Sequence, residues 1–527
     1  MKRLSLLTVV ILALLVAACG GQAAAPPAAA PTAAAAAKAA APTVAAAVQQ
    51  AAPTVAAAAA PKATEAPKAA APAATEAPKA AAPAATLAAP TPLPTGVTKA
   101  VTLKPGQTKV TFWHAMGGAL GEETQKLVDG FNASQDKYVV EATFQGNYDN
   151  SLAKLRAGLA TKDVPTLMQV YDIGTRLMTD LDVVTPMQKF IDAEKYDVSD
   201  LEPAVLNYYT VNKQLQSMPF NTSGPILYYN KDAFTKAGLD PEKPPRTWEE
   251  VAVAAKALKE KAGMECGIAL IWYGWFFEQW QATGGNFYAD NENGRAAPAT
   301  KAAFNTQYSQ DLLKWMKDMI DNGTACNAGR NAAGGSDAAQ TAFEQQKAGM
   351  FIESTARLRR VVDNTEGKGV FKVGTGWMPR QKAEDYDKAG TIIGGASLWA
   401  LKDRPQEEQQ GAWEFIKYVA AAPQQAQWHV GTGYYPIRKS GYNDPKAVEW
   451  RTKYPQFNTA REQLQKSPIN NATAGALLGV FPSARQTIEK GMEDIMLGKV
   501  QIPAMLEGAA SSVTKEIETY NRTIRPR

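Results

Sequence analysis

Histidine and cysteine are scarce in this chain of 527 residues, which has two of the first, His114 and His429, and three of the second, Cys19, Cys266 and Cys326. Each histidine adjoins a tryptophan and neither sits in a cluster of cysteines or carboxylates, so the sequence offers no ligand set for a resident metal. It also carries no cofactor motif. The G-x-S-x-G elbow, the H-E-x-x-H helix and the G-x-x-x-x-G-K-[ST] phosphate loop are all missing. Their absence points away from an enzyme and leaves a secreted phosphodiesterase with paired carboxylates as the catalytic alternative. Charge of one sign is not in excess either: 56 Lys plus Arg stand against 51 Asp plus Glu, net +5, with the signs interspersed. That balance gives no footprint for nucleic acid. Beyond the first eighteen residues there is no second long apolar run.

What the chain does have at its start is an export pattern. Lys2 and Arg3 precede an unbroken apolar core, which gives way to Val16, Ala17, Ala18 and then Cys19. Charged, apolar and small residues in that order mark a signal peptide, residues 1–18, and the core is too short to span a bilayer comfortably. The small-small-Cys junction resembles the bacterial lipobox, so Cys19 is expected to be lipidated and to become the first mature residue, anchoring the protein to the cell membrane. Residues 19–104 are expected to form a disordered linker. "ATEAPKAAAPA" occurs at Ala63–Ala73 and again at Ala74–Ala84, and a proline every few residues stops alanine from propagating a helix. As a flexible coil, ~80 such residues would span about 50 Å.

From about residue 105 the pattern changes. "KVTFWHA", "YVVEATFQG" and "TLMQVY" read as strands, separated by helices that place Leu120, Leu127, Val128 and Phe131, then Leu152, Leu155 and Leu159, on one face. The alternation argues for an α/β fold with a mostly parallel sheet. After "SMPFNTSGPILYYN" the pattern restarts, with Thr247 and Glu250 at capping-box spacing. Later, "FKVGTGWMP" and "IIGGASLWAL" read as strands and "QQGAWEFIKYVAAAP" as an amphipathic helix stopped near Pro423. A second α/β lobe follows, and two lobes with facing strand ends make a cleft. Cys266 and Cys326 suit either one disulfide or two buried thiols.

Four stretches, "FWHAMGGALGEETQKLVDGFN", "SMPFNTSGPILYYNKDAFTKAGLDPEKPPRTWEE", "IIGGASLWAL" and "WHVGTGYYPI", resemble the sn-glycerol-3-phosphate-binding proteins of ABC importers, within family 1 of the extracellular solute-binding proteins. The likeness runs from about residue 108 to 520. It implies a two-lobed periplasmic-binding-protein fold (type II, hinged lobes) with the ligand cleft between lobes, closing on ligand by hinge motion. Lobe 1 is expected over 105–219 and 374–425 and lobe 2 over 220–373 and 426–527, with crossings near Pro219–Gly224 and Val373–Thr375. Ligand-binding positions implied by the resemblance are Tyr148, Asp172, Ser223, Trp272, Trp275, Ser354, Gly395, Tyr434 and Arg485. Serine and tyrosine offer hydroxyls, Gly395 an approachable N–H, Asp172 an acceptor for glycerol hydroxyls, the tryptophans a wall, and Arg485 a forked donor for phosphate. The partners implied are a small ligand, the transmembrane subunits of an ABC permease and the membrane through the anchor, for a monomer outside the cytoplasm. The ligand the resemblance implies is glycerol 3-phosphate or a glycerophosphodiester such as glycerophosphocholine, the alternative being an oligosaccharide.

Overall fold

Strand and helix alternate from the first described segment onward, because the apolar spacing changes repeatedly from two residues to between three and four. The computed structural model describes residues 99–524. The signal peptide, Cys19 and the alanine–proline repeat lie outside the described residues. The chain first lays down β1 (Thr108–His114), β2 (Tyr138–Phe144), β3 (Leu167–Tyr171) and β4 (Val184–Thr185). A short hairpin, β5 (Thr210–Val211) with β6 (Gln214–Leu215), leads into β7 (Met218–Ser223). It then makes β8 (Pro225–Asn230), β9 (Cys266–Trp272), β10 (Ala325–Arg330), β11 (Ala348–Ser354) and β12 (Val373–Trp377), and returns with β13 (Gly394–Leu401).

Two sheets result. The first has the order β2-β1-β3-β13-β4, with β7 also on β13; the second has the order β10-β9-β11-β8-β12. In the first, β1 runs parallel to β2 and β3, but β13 is antiparallel to β3, β4 and β7. In the second, β9 is parallel to β10 and β11, while β8 is antiparallel to β11 and β12. Each sheet is therefore mixed where a mostly parallel one was expected. The cause is the same in both: a strand that re-enters from the other lobe arrives in the reverse direction.

Helices cover the sheets as their apolar stripes require. Helix Gly118–Ser134 buries Leu127, Val128 and Phe131, each contributing about 1.5–3 kcal/mol of burial. Helix Trp248–Glu260 opens on the expected capping box, in which Thr247 Oγ1 accepts from Glu250 N–H at 3.1 Å and Glu250 Oε2 from Thr247 N–H at 3.2 Å. Helix Gln406–Ala420 ends before Pro423, which lies in the first turn of the next helix, Ala422–Thr432, where its missing N–H costs nothing.

The lobe limits differ from the expected ones. The first crossing passes through Gly224, between β7 and β8, inside the expected window. The second is not at Val373–Thr375, because β12 pairs with β8 in the second sheet; it runs from Met378 to β13. A boundary at 374 thus cuts a strand of the second sheet. A boundary at 426 cuts helix Ala422–Thr432, which packs on Gly118–Ser134 beside the first sheet. Buried Gln463 ties both crossings together: its Nε2 donates to Pro225 O at 2.8 Å, and its Oε1 accepts from Met378 N–H at 2.7 Å.

The question of the cysteines is resolved in favour of a bond. Cys266 in β9 and Cys326 in edge strand β10 form a disulfide, with Cα atoms 5.6 Å apart.

Candidate functional site

The strand ends of the two sheets converge on a cavity of about 220 Å³. From the first lobe come Tyr148 at the start of helix Tyr148–Thr161, Tyr171 and Asp172 at the end of β3, Ser223 at the end of β7 and Gly395 at the start of β13. The second lobe supplies Tyr273 and Trp275 after β9, Asn331 and Ser336 after β10, and Glu353, Ser354 and Arg357 at the end of β11. Arg485, from helix Phe481–Met496, and Tyr434 complete the wall. Such placement follows from topology, since ligands in open α/β sheets sit beyond the carboxyl ends of strands.

Two amide side chains hold Tyr148 from behind. Ala115 N–H donates to Gln169 Oε1 at 2.9 Å, Gln169 Nε2 to Asn221 Oδ1 at 2.7 Å, and Asn221 Nδ2 to the Tyr148 hydroxyl oxygen at 2.9 Å. Gln169 and Asn221 are wholly buried, so this chain of donors fixes both amide orientations. Tyr148 also stacks on Tyr171, centroids 5.2 Å apart, and the Tyr171 hydroxyl donates to Asp149 Oδ1 at 2.6 Å. Glycine is required at Gly395, where φ is +98° and a Cβ would lie 1.8 Å from Asn221 O. At Gly394 a Cβ would lie 2.4 Å from the Trp275 ring, so the missing side chain is what admits that indole to the cavity.

The charges are dense and interlocked. Arg485 is buried, and its Nε and Nη2 donate to Glu278 Oε1 and Oε2 at 2.7 and 2.6 Å. Asp172 Oδ2 lies 3.7 Å from the same Nη2, and nearby Glu489 accepts from Gly274 N–H at 3.1 Å. Burial raises the Asp172 and Glu489 carboxyls, with Arg485 opposing, and lifts Glu278 to about 7. Burial pulls Arg485 down, but Glu278 and Asp172 outweigh it and hold the guanidinium charged. On the second lobe Arg357 pairs with Asp337 and lies 3.7 Å from Glu353. Five carboxylates, Asp172, Glu278, Asp337, Glu353 and Glu489, thus gather around Arg485 and Arg357, with Arg360 also 3.7 Å from Asp337 and Arg330 near Glu489.

Of the nine positions expected to bind ligand, Tyr148, Asp172, Ser223, Trp275, Ser354, Gly395, Tyr434 and Arg485 line this one cavity. Trp272 does not. It is 1% exposed within β9, and its Nε1 donates to Asn327 Oδ1 at 2.7 Å, so it anchors β9 to β10. Its neighbour three residues on has passed the strand end and faces the cleft. Glu278 holds the Nε and Nη2 edge of Arg485, so within that guanidinium Nη1 is the donor not bonded to Glu278. Sequence reading missed Tyr171, Tyr273, Asn331, Ser336, Glu353 and Arg357. Tyr171, Tyr273 and Glu353 adjoin identified positions or strand ends, and the strand-end rule would have marked them. Arg357 and Ser336 lie a turn beyond strands and gave no such signal.

His429 supports the cavity wall indirectly: its Nδ1 is 2.7 Å from the carbonyl oxygen of Tyr434. Burial lowers both His114 and His429 to about 4. Since the unfolded side chain titrates near 6.5, each neutral histidine contributes stability that is fully present above about pH 6.5 and is lost as pH falls toward 4, roughly 3 kcal/mol per group. His429→Gln, which keeps a donor for Tyr434 O, is expected to lose about 3 kcal/mol less than the native protein between pH 7 and 4. Denaturant titrations at the two pH values measure this, and an unchanged difference refutes it.

A family profile described as bacterial extracellular solute-binding protein matches residues 126–459. The sn-glycerol-3-phosphate-binding periplasmic protein UgpB of Escherichia coli (strain K12) is 32% identical over 423 residues, covering 79% of this chain and 94% of that protein. Its counterpart from Yersinia pseudotuberculosis (serotype I, strain IP32953) is 34% identical over 407 residues, covering 76% and 90%. Among solved structures, UgpB from Mycobacterium tuberculosis in complex with glycerophosphocholine superposes with a TM-score of 0.65 at 21% identity, covering 80% of this chain and all of that one. The GacH receptor of Streptomyces glaucescens, solved unliganded and with acarbose, gives 0.65 at 19% identity, covering 78% and 99%. These structures share the two-lobed fold. With the profile match and the identity to curated relatives over most of its length, the chain belongs to the bacterial extracellular solute-binding proteins.

Proposed function

We propose that this protein captures a glycerol phosphate ester, sn-glycerol 3-phosphate or a glycerophosphodiester, and delivers it unaltered to the transmembrane subunits of an ABC importer, acting as a monomer anchored outside the cytoplasm by lipid on Cys19. The observation that carries this reading is the cavity. Residues from both lobes meet around about 220 Å³, below the roughly 300–1,000 Å³ of pockets for drug-sized ligands. A compact polyol ester suits that volume better than an oligosaccharide does. Ser223, Ser354 and Tyr434 bring hydroxyls to it, and Asp172 an acceptor for glycerol hydroxyls. Identity of 32–34% to glycerol-3-phosphate-binding relatives supports the same class. The small-small-Cys junction at Cys19 supports the anchor.

A ligand touching both lobes stabilises the closed arrangement and the folded state. Glycerol 3-phosphate or a glycerophosphodiester is therefore expected to raise the melting temperature and, by small-angle scattering, to reduce the radius of gyration. Ligand recovered after incubation is expected to be chemically unchanged. A melting shift produced by maltose-type oligosaccharides alone overturns the ligand class, and turnover of a diester overturns the binding-protein reading.

A further inference from the structure

The second-lobe wall of the cavity carries a carboxylate whose hydrogen bonding is incomplete. Glu353, 2% exposed, lines the cavity at the end of β11. Its Oε1 accepts from Ser354 N–H at 2.7 Å, but its Oε2 is buried without a hydrogen-bond donor. The groups around it are otherwise engaged. Arg357 Nε stands 3.7 Å from Oε2, too far for a hydrogen bond, while Arg357 Nη1 donates to Asp337 and, at 2.8 Å, to Gln340 Oε1. The Ser336 hydroxyl, close enough to Glu353 to favour its charged form, is directed instead to Asn331 Oδ1, to which it donates at 2.7 Å. A buried carboxyl oxygen lacking a donor is costly, and a ligand that brings an N–H removes the cost.

Charge points the same way. Asp172 and Glu278 are set against Arg485, one more carboxylate than guanidinium, while at the other end Arg357 and Arg360 both reach Asp337 and only Arg357 stands near Glu353. A phosphate monoester brings nothing to compensate Glu353, whereas a zwitterion can set its phosphate beside an arginine and its cation beside that carboxylate. Tyr273, in the same wall, feels both Arg485 and Glu353, so the two charged ends are within electrostatic reach of one side chain.

We propose that Glu353 forms a second subsite, for the part of the ligand beyond its glycerol phosphate, and that this subsite takes a cation bearing N–H donors, so that the preferred ligand is a glycerophosphodiester with a primary ammonium head group. This rests on the glycerol phosphate reading above. A quaternary ammonium satisfies the charge but donates no hydrogen bond, and a neutral hydroxyl head donates but leaves the charge uncompensated.

Titration calorimetry on the full chain with four compounds tests it: glycerophosphoethanolamine, glycerophosphocholine, glycerophosphoglycerol and glycerol 3-phosphate. Native protein is expected to bind glycerophosphoethanolamine at least tenfold more tightly than each of the others. In Glu353→Gln that preference is expected to shrink to threefold or less. The native series alone decides the matter if the variant does not fold, as its melting curve would reveal. Equal or tighter binding of the choline or glycerol diester by native protein overturns the proposal, as does a folded Glu353→Gln that keeps the tenfold preference. If none of the four binds, the glycerol phosphate reading itself fails and the subsite proposal falls with it.

Discussion

Arg485→Ala is expected to weaken binding of a glycerol phosphate ester by about 30-fold to a few thousandfold and to destabilise the fold as well. The guanidinium lies between Glu278, at 2.6 and 2.7 Å, and Asp172, at 3.7 Å, with all three groups buried. Its removal leaves two carboxylates without their counter-charge, and breaking a buried pair in this way costs roughly 3–5 kcal/mol. The affinity estimate follows from roughly 2–5 kcal/mol for truncating one partner of a buried charge pair, at ~1.4 kcal/mol per tenfold. The loss of stability should be larger at pH 8 than at pH 5.5. Glu278, already lifted to about 7 by burial, can take up a proton in the variant and so shed its unpaired charge at the lower pH. Arg485→Lys should recover only part, since a single ammonium cannot match both carboxylate oxygens. Arg485→Met combined with Glu278→Met separates the two effects, because removing the bidentate partner as well restores the part of the stability that does not depend on Asp172, while ligand affinity stays low. Calorimetric titration and chemical denaturation across this series read both quantities. An Arg485→Ala protein as stable as the native one, with unaltered affinity, contradicts the account.

Loss of the disulfide should be comparably severe. Cys266 and Cys326 are separated by 60 residues, and in the loop-entropy description closing such a loop stabilises the folded state by about 4 kcal/mol. The effect falls on β10, an edge strand hydrogen-bonded only to β9, whose end leads to Asn331 in the cavity wall. Cys266→Ala with Cys326→Ala, or reduction of the native protein, is expected to lower the unfolding midpoint by roughly 5 °C for a folded part of this size and to weaken ligand binding as the β10 end loosens. Thermal scans with and without dithiothreitol measure the first, and titration of the double variant the second. An unchanged midpoint would show that the bond constrains little beyond what the sheet already fixes.

Much of this molecule was legible before its coordinates. Strands such as Thr108–His114 and Gly394–Leu401 and the capped helix after Thr247 announce themselves through local periodicity and turn chemistry. Local signals could not say that β13 would return antiparallel between β3 and β4, because that depends on which lobe the chain has just left. The site divides along the same line. Residues at strand ends, Asp172 and Ser354 among them, were within reach. That Glu278 would occupy the fork of Arg485, 207 residues away in sequence, was not. Trp272 and Trp275 show how fine the distinction is: three residues separate an indole buried in the second sheet from one in the cavity wall.

The way the two sheets draw their strands from the chain also suggests an order of folding. The second sheet draws β8 to β12 from an uninterrupted stretch, Pro225–Trp377, whereas the first begins at Thr108 and stays in pieces until Gly394–Leu401 joins β3, β4 and β7. A chain released from its N-terminus exposes β1, β2 and β3 first, yet their sheet must wait for a partner more than 200 residues downstream, and contacts of such separation close slowly. The later-born sheet can assemble while the earlier one still shows its apolar edge, at β3, to solvent. Of the two sheets, the one begun first is the one completed last, and that interval is when the unpaired edge of β3 is expected to be most open to aggregation.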